Sequence, residues 1–292
     1  MMRKLTSWPV RWIILSGLFA AYLLPRLDRE RAILWSVVLG CALTMSIGWM
    51  RVAATARRDR RLIERAESAQ APRDGEVIAV AGQIETAGEP LRSPVRAEPS
   101  IIYEFSAFHR AKRKHHKEQS DIADYAGYGI AAPVVRGAVF SAPLRSFPYL
   151  HGFERAEIDT PETLVNVKEH IRFGQPQPPP AGEMLEHTKA WDGKWNGEPS
   201  RLVRNFRADG AQDLAKCRFR EEIVSPGTTV CALGVWSSAR QGLIAAPGQE
   251  LWLYRGSPEQ VKEELSVSNG CGLFLAVLFA AGSVATAAYL VS

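Results

Sequence analysis

Three apolar runs without a charged side chain lie towards the ends of the chain, at 12–24, 32–50 and 271–291, with a long polar body between them. A helix rises about 1.5 Å per residue, so the second and third runs are long enough to cross a hydrocarbon core of about 30 Å. The first run is shorter. It spans only with help from Trp8, Pro9 and Arg11, the arginine reaching back to the interface. Trp8, Trp12, Trp35, Trp49 and Tyr289 lie near the ends of the runs, where interfacial aromatic residues belong. The pattern predicts a transmembrane hairpin over 8–50 (about 8–25 and 32–50) and a transmembrane helix over 271–291. A signal peptide is the alternative for the first run, although no small-x-small cleavage site precedes Pro25.

Between the runs the texture changes. Residues 51–72 continue the second run as a basic juxtamembrane helix. Short β-branched and aromatic stretches broken by Gly and Pro then predict strands at 74–85, 101–109, 134–140 and 145–150. Thr160-Pro161-Glu162 suits a helix start that puts Leu164, Val167 and Ile171 on one face, and a strand through 164–167 is the competing reading. The prolines of 174–182 predict an extended loop. Strands are expected again at 202–206, 217–224, 229–236 and 250–254. Ser257-Pro258-Glu259-Gln260 fits a capping box opening a short helix over 257–269. The segments 75–82 and 227–234 echo each other in glycine spacing and apolar texture, as a duplicated β-unit or by chance. The expected fold is thus a membrane α-helical anchor plus an α+β, mainly β soluble domain over 73–256, an open barrel or sandwich with short helices.

The formal net charge is +5, unevenly spread. Arg51, Arg57, Arg58, Arg60, Arg61 and Arg65 directly follow the second run, against Asp59 and Glu64. Arg3, Lys4 and Arg11 precede the first, whereas Arg26, Arg29 and Arg31 between the runs are offset by Asp28 and Glu30. Arginine is held on the cytoplasmic side and attracted by anionic lipid. The charge rule therefore predicts an integral multi-pass protein of the plasma (inner) membrane, with the N-terminus and the body cytoplasmic and Ser292 outside. In that compartment Cys217 and Cys231 would remain reduced.

Chemistry-bearing motifs are sparse. GxSxG, HExxH and GxxxxGK are absent, no CxxC occurs, and none of the six histidines has an i, i+4 partner. No catalytic residue, cofactor site or metal site is assigned. Asp192-Gly193-Lys194-Trp195-Asn196-Gly197 follows half of a calcium loop but fails at Lys194 and at Val203, so a turn packed by Trp191 and Trp195 is expected. Lys112, Arg113, Lys114, His115, His116 and Lys117 form a basic hairpin tip. This is the candidate surface contact, for anionic headgroups or an acidic partner, with a merely solvated tip as the competing reading; nucleic acid is disfavoured because no binding motif accompanies it. Ala276, Ala280, Ala281, Gly282, Ser283 and Ala285 give the last run small residues that permit close helix packing, with the hairpin as the obvious partner, or reflect no more than an alanine-rich composition.

Two segments carry a family resemblance. Leu91-Arg92-Ser93-Pro94 with Ile102-Tyr103-Glu104, and Arg220-Glu221-Glu222-Ile223-Val224-Ser225-Pro226-Gly227 with the glycine-bounded stretch to Gly234, resemble the conserved core of the GIDE family. That family comprises membrane-embedded E3 ubiquitin ligases and prokaryotic relatives sharing a beside-a-membrane domain. The resemblance covers 73–290 and implies a membrane-apposed β-rich module that binds or presents partners. The ligases place a RING after their last span; this sequence stops at Ser292 and lacks a RING set of Cys and His ligands. Ligase activity is therefore not carried over. The sequence is also expected to carry a hairpin where the ligases have one span. The leading expectation is a non-catalytic scaffold or sensor facing membrane lipids and a protein partner. The alternatives are an accessory or degenerate member of a ligase-like system acting with a separate catalytic chain, and a hydrolase with scattered catalytic residues.

Overall fold

A computed structural model describes residues 8–25, 27–66, 72–112, 119–158, 160–173, 175–177, 200–205, 214–246 and 249–291. The chain divides into two compact units, 1–61 with 262–292, and 62–261.

The first unit is helical: α1 (Trp8–Leu23), α2 (Arg29–Arg65) and α4 (Pro258–Val291) supply it. By length and composition α2 and α4 are able to cross a bilayer; α1, at 16 residues, is short for that. Side chains along all three remain outward-facing and apolar: Leu18 is 63% exposed, Leu34 61%, Phe274 66% and Val284 70%. Such a surface is unlike that of a helix sunk in a soluble core. The inner faces pack through Leu23, Ala32 and Leu39 with Phe19, Trp35 and Ala287. Ser46 donates its hydroxyl to the Ala276 carbonyl at 2.7 Å, tying α2 to α4. Of the small residues in the last run, Ala276 and Ser283 are buried, whereas Ala281, Gly282 and Ala285 face outward.

One expectation about the helices changes here. α4 is one helix of 34 residues rather than a short helix followed by a span. The switch from polar to apolar residues near Cys271 alters the environment, not the backbone, and no proline follows Pro258 to stop the helix. The capping box does form: Ser257 N–H donates to Gln260 Oε1 at 2.9 Å, and Gln260 N–H to Ser257 Oγ at 3.4 Å. α2 runs without a break from the second apolar run through the arginine cluster, as expected.

The second unit is mostly β. A seven-stranded sheet contains β1 (Val77–Thr86), β6 (Pro133–Gly137), β7 (Ser141–Pro143), β8 (Tyr149–His151), β13 (Thr229–Ser237), β14 (Gly242–Ile244) and β15 (Trp252–Arg255). A six-stranded sheet runs in the order β10 (Gln175–Gln177), β11 (Ser200–Asn205), β5 (Gln119–Ile130), β4 (Ile102–Lys112), β12 (Arg218–Val224), β9 (Arg155–Ile158). A small ribbon pairs β2 (Leu91–Arg92) with β3 (Pro99–Ser100). Both large sheets have free ends, so no closed barrel forms among the described residues.

One apolar core joins the two sheets, with Ile78, Val80, Val230, Ala232 and Leu253 from the first and Ile102, Tyr128, Ile130 and Val224 from the second. A second core lies on the other face of the six-stranded sheet, where Tyr103, Phe105 and Phe219 meet Val167 of α3 (Pro161–Phe173). The helical alternative thus holds at 160–171. Thr160 Oγ1 accepts the Thr163 N–H at 3.2 Å, an N-cap bond, and Pro161 occupies the first helical position.

The internal echo becomes a local two-fold. β1 and β13 pair antiparallel with Val80 opposite Ala232. Gly75 donates to the Trp236 carbonyl and Gly227 to the Ile84 carbonyl, both at 2.9 Å; Trp236 N–H returns to Glu76 at 2.8 Å and Ile84 N–H to Thr228 at 2.9 Å. Exchanging the segments maps each bond onto another. Gly75 and Gly227 have φ of 75° and 78°, the left-handed region that favours glycine.

Several strand boundaries move. Residues 145–148 precede β8 as irregular chain, and β6 ends at Gly137. Gln175–Gln177, expected as loop, pairs parallel with β11. β5 and β9 arise where no strand is expected. β5 is rich in Gly and Ala; its apolar cover comes from next door, since a Cβ at Gly129 would lie 2.1 Å from the Tyr103 ring that occupies the space. Cys217 and Cys231 are both buried and are not joined in a disulfide.

Candidate functional site

The turn after β2 organises the described surface of the second unit. Its backbone amides at Val95 and Arg96 donate to the two carboxylate oxygens of Glu221 on β12, at 3.0 and 2.9 Å. Glu221 is buried; burial pushes its carboxyl upward, and these two amides oppose that shift. Thr163 of α3 donates to the Val95 carbonyl at 3.3 Å, and Ser93 Oγ accepts the Glu98 amide at 3.3 Å. Sheet, helix and ribbon therefore hold one turn, and the segments around Leu91 and Arg220 are joined by Glu221.

Two cavities flank this turn. The larger, about 360 Å³, is walled by Val95 to Glu98, by Ala156 and Ile158 of β9, and by Thr160, Glu162, Thr163 and Asn166 of α3. Because β9 is the outermost strand of its sheet, this cavity lies between a strand edge and a helix. The smaller, about 160 Å³, is lined by Arg92, Ser93 and Pro94, by Asn166, Glu169 and His170 of α3, and by Arg201 of β11. His170 is buried, with ring centroids 5.4 Å from Tyr103 and 5.0 Å from Phe105. Burial and then the Arg201 charge push its pKa down to about 4, so the imidazole is neutral at pH 7.

On the opposite face of the six-stranded sheet lies a charged ledge. Glu104 on β4 sits directly across from Glu222 on β12, beside a cavity of about 330 Å³ that Arg155, Arg220 and Ser106 also line. Burial, then the Glu222 charge, pushes Glu104 up to about 7 against the pull of Arg155. Arg155 reaches Glu222 at 2.6 Å. Arg220 contacts Glu157 at 3.2 Å and Asp121 at 3.4 Å, and its guanidinium carbon stands 4.3 Å from the Phe108 ring centre. Glu157 is held below its ordinary value chiefly by the Arg220 hydrogen bond. Exposed pairs of this kind lend little stability.

A third polar cluster brings a cysteine, a histidine and an aspartate together. Asp124 is fully buried; its Oδ2 lies 2.7 Å from His109 Nδ1 and accepts the Cys217 thiol at 3.4 Å. One carboxylate oxygen thus ties His109 of β4, Asp124 of β5 and the Cys217 thiol just before β12 together.

Of the basic hairpin tip, Lys112 ends β4 and pairs with Gln119 of β5. Arg113, Lys114, His115, His116 and Lys117 lie outside the described residues, as do the calcium-like segment around Asp192 and prolines 178–180. Among the described residues, no group of three or more His, Cys, Asp and Glu could hold a metal ion. The cavities beside the turn have no signature in the sequence. Their residues come from four separate stretches with no shared motif. No family model, no curated protein and no solved structure matches this chain.

Proposed function

We propose that this protein is a membrane-anchored, non-catalytic scaffold or sensor whose β-rich domain takes an extended segment of a partner protein along the outer edge of β9. In this reading the helical unit spans the plasma (inner) membrane several times and the β domain is cytoplasmic. The arginine-rich end of α2 supports that sidedness. The β domain is taken as a GIDE-type module without RING ligands. The joining of its two family-like segments through Glu221 supports that assignment.

The observation that carries the recognition role is the cavity between β9 and α3. A sheet edge offers main-chain hydrogen bonds to a fourth-party strand of any sequence, and an adjoining pocket supplies selectivity. β9 is short and bears Arg155 and Glu157, features that limit indiscriminate edge pairing. Anchorage beside a bilayer raises the effective concentration of the domain for membrane-bound partners.

A photoreactive amino acid at Glu162, an exposed wall of this cavity, tests the reading in native membranes. The control is the same group at Val139, which is 58% exposed between β6 and β7. A discrete protein adduct from position 162 and none from 139 is expected. Equal labelling, or none, removes the proposal. An adduct bearing a RING or transferase domain would favour the accessory role in a ligase-like system.

A further inference from the structure

The smaller cavity beside the turn has a chemistry of its own. Asn166, Glu169 and His170 project from α3 at i, i+3 and i+4, which puts them on one helical face. Arg92 closes one side from β2, with its Nε 3.2 Å from the Ala97 carbonyl, and Arg201 closes another from β11. Arg201 is exposed and has no ion-pair partner among the described residues. Its charge is felt by the two buried groups beneath, lowering His170 and opposing the rise at Tyr103. The floor is therefore a neutral imidazole, and two guanidinium groups face one carboxylate, Glu169.

We propose that this cavity binds a phosphate group, held by the Arg92 and Arg201 guanidinium forks and by the Asn166 carboxamide. A guanidinium presents its N–H donors in a plane that matches two oxygens of a tetrahedral oxyanion. Two guanidinium groups answer the double charge of a phosphomonoester better than the single charge of a carboxylate. The cavity is roomy enough for several waters, and so for an oxyanion of that size. Ser93 and Pro94 form a rigid wall because the turn behind them is fixed by Glu221 and Thr163. Glu169 opposes an anion and limits affinity. The site shares Asn166 with the β9 groove but does not depend on a peptide binding there.

The full chain in phosphatidylcholine nanodiscs is titrated with inorganic phosphate, and the imidazole resonances of His170 and the side-chain amide of Asn166 are followed by NMR. Saturable shifts are expected. Arg201→Gln should weaken binding about tenfold or more, the loss of one charge-assisted contact. Glu169→Gln should tighten it several-fold, a gain that misfolding does not produce. In a second arm, discs containing phosphatidic acid replace added phosphate. Saturation in the first arm identifies free phosphate or a soluble phosphomonoester as the source; a response only in the second identifies a lipid headgroup. Absence of saturation in both arms, or saturation unmoved by Arg201→Gln and Glu169→Gln, overturns the proposal.

Discussion

Glu104 and His170 are displaced in opposite directions, and each displacement fixes a sign. Glu104 is raised to about 7 from an ordinary 4.5. Between those values the unfolded chain gives up the proton more readily, so this group's contribution to stability is greatest at low pH and falls as pH rises through that window. Glu104→Gln removes the dependence. Thermal melts in detergent should show the variant gaining on the parent from about pH 4.5 to 7 and level above; a constant offset would contradict the buried, paired carboxylate. His170 is lowered to about 4 from 6.5. Here the unfolded chain binds the proton more readily, so stability is lost as pH falls through the interval. NMR titration of the ligand-free protein should give a midpoint near 4, and an ordinary midpoint of about 6.5 would show that the imidazole is not buried as described.

Elements are decided by neighbours as much as by their own residues. β5 carries Gly127 and Gly129 in its interior, and glycine weakens an isolated strand. It is central because β4 and β11 pair with its two edges and Tyr103 lies over Gly129. Gly129→Val should cost about 2 kcal/mol or more through overpacking against that ring, measured as a shift of the denaturation midpoint. An unchanged midpoint would mean that the ring moves freely. The strongly patterned strands, β1, β4, β12 and β13, are legible because their β-branched and aromatic residues fill the two cores. β9 is not legible because Arg-Ala-Glu-Ile carries the texture of an exposed loop, and only pairing with β12 makes it a strand.

At the scale of the whole molecule, apolar helical surface and mostly β surface belong to different units. Leu18, Leu34, Phe274 and Val284 would all face water if the helical unit were free in solution. The protein should therefore stay with the membrane pellet in alkaline carbonate. Release into the supernatant would end the anchored reading and the effective-concentration argument with it. The β unit carries its own cores and its own cavities, so the recognition proposal concerns that unit alone and survives any particular packing of the helices.

The order of the residues alone determined what depends on local chemistry: two runs apolar enough for lipid and the helix cap at Ser257. Each is a contest between neighbours a few positions apart, and the winner is visible in their side chains. Tertiary structure decided what depends on meetings across long stretches. Glu221 reaches a turn that precedes it by more than a hundred positions, Arg201 arrives beside a helix from another strand, and Glu104 faces Glu222 only through strand register. Such encounters leave no periodicity or spacing to read, because hydrogen-bond geometry and charge act through space while sequence patterns record only the chain's local repeat.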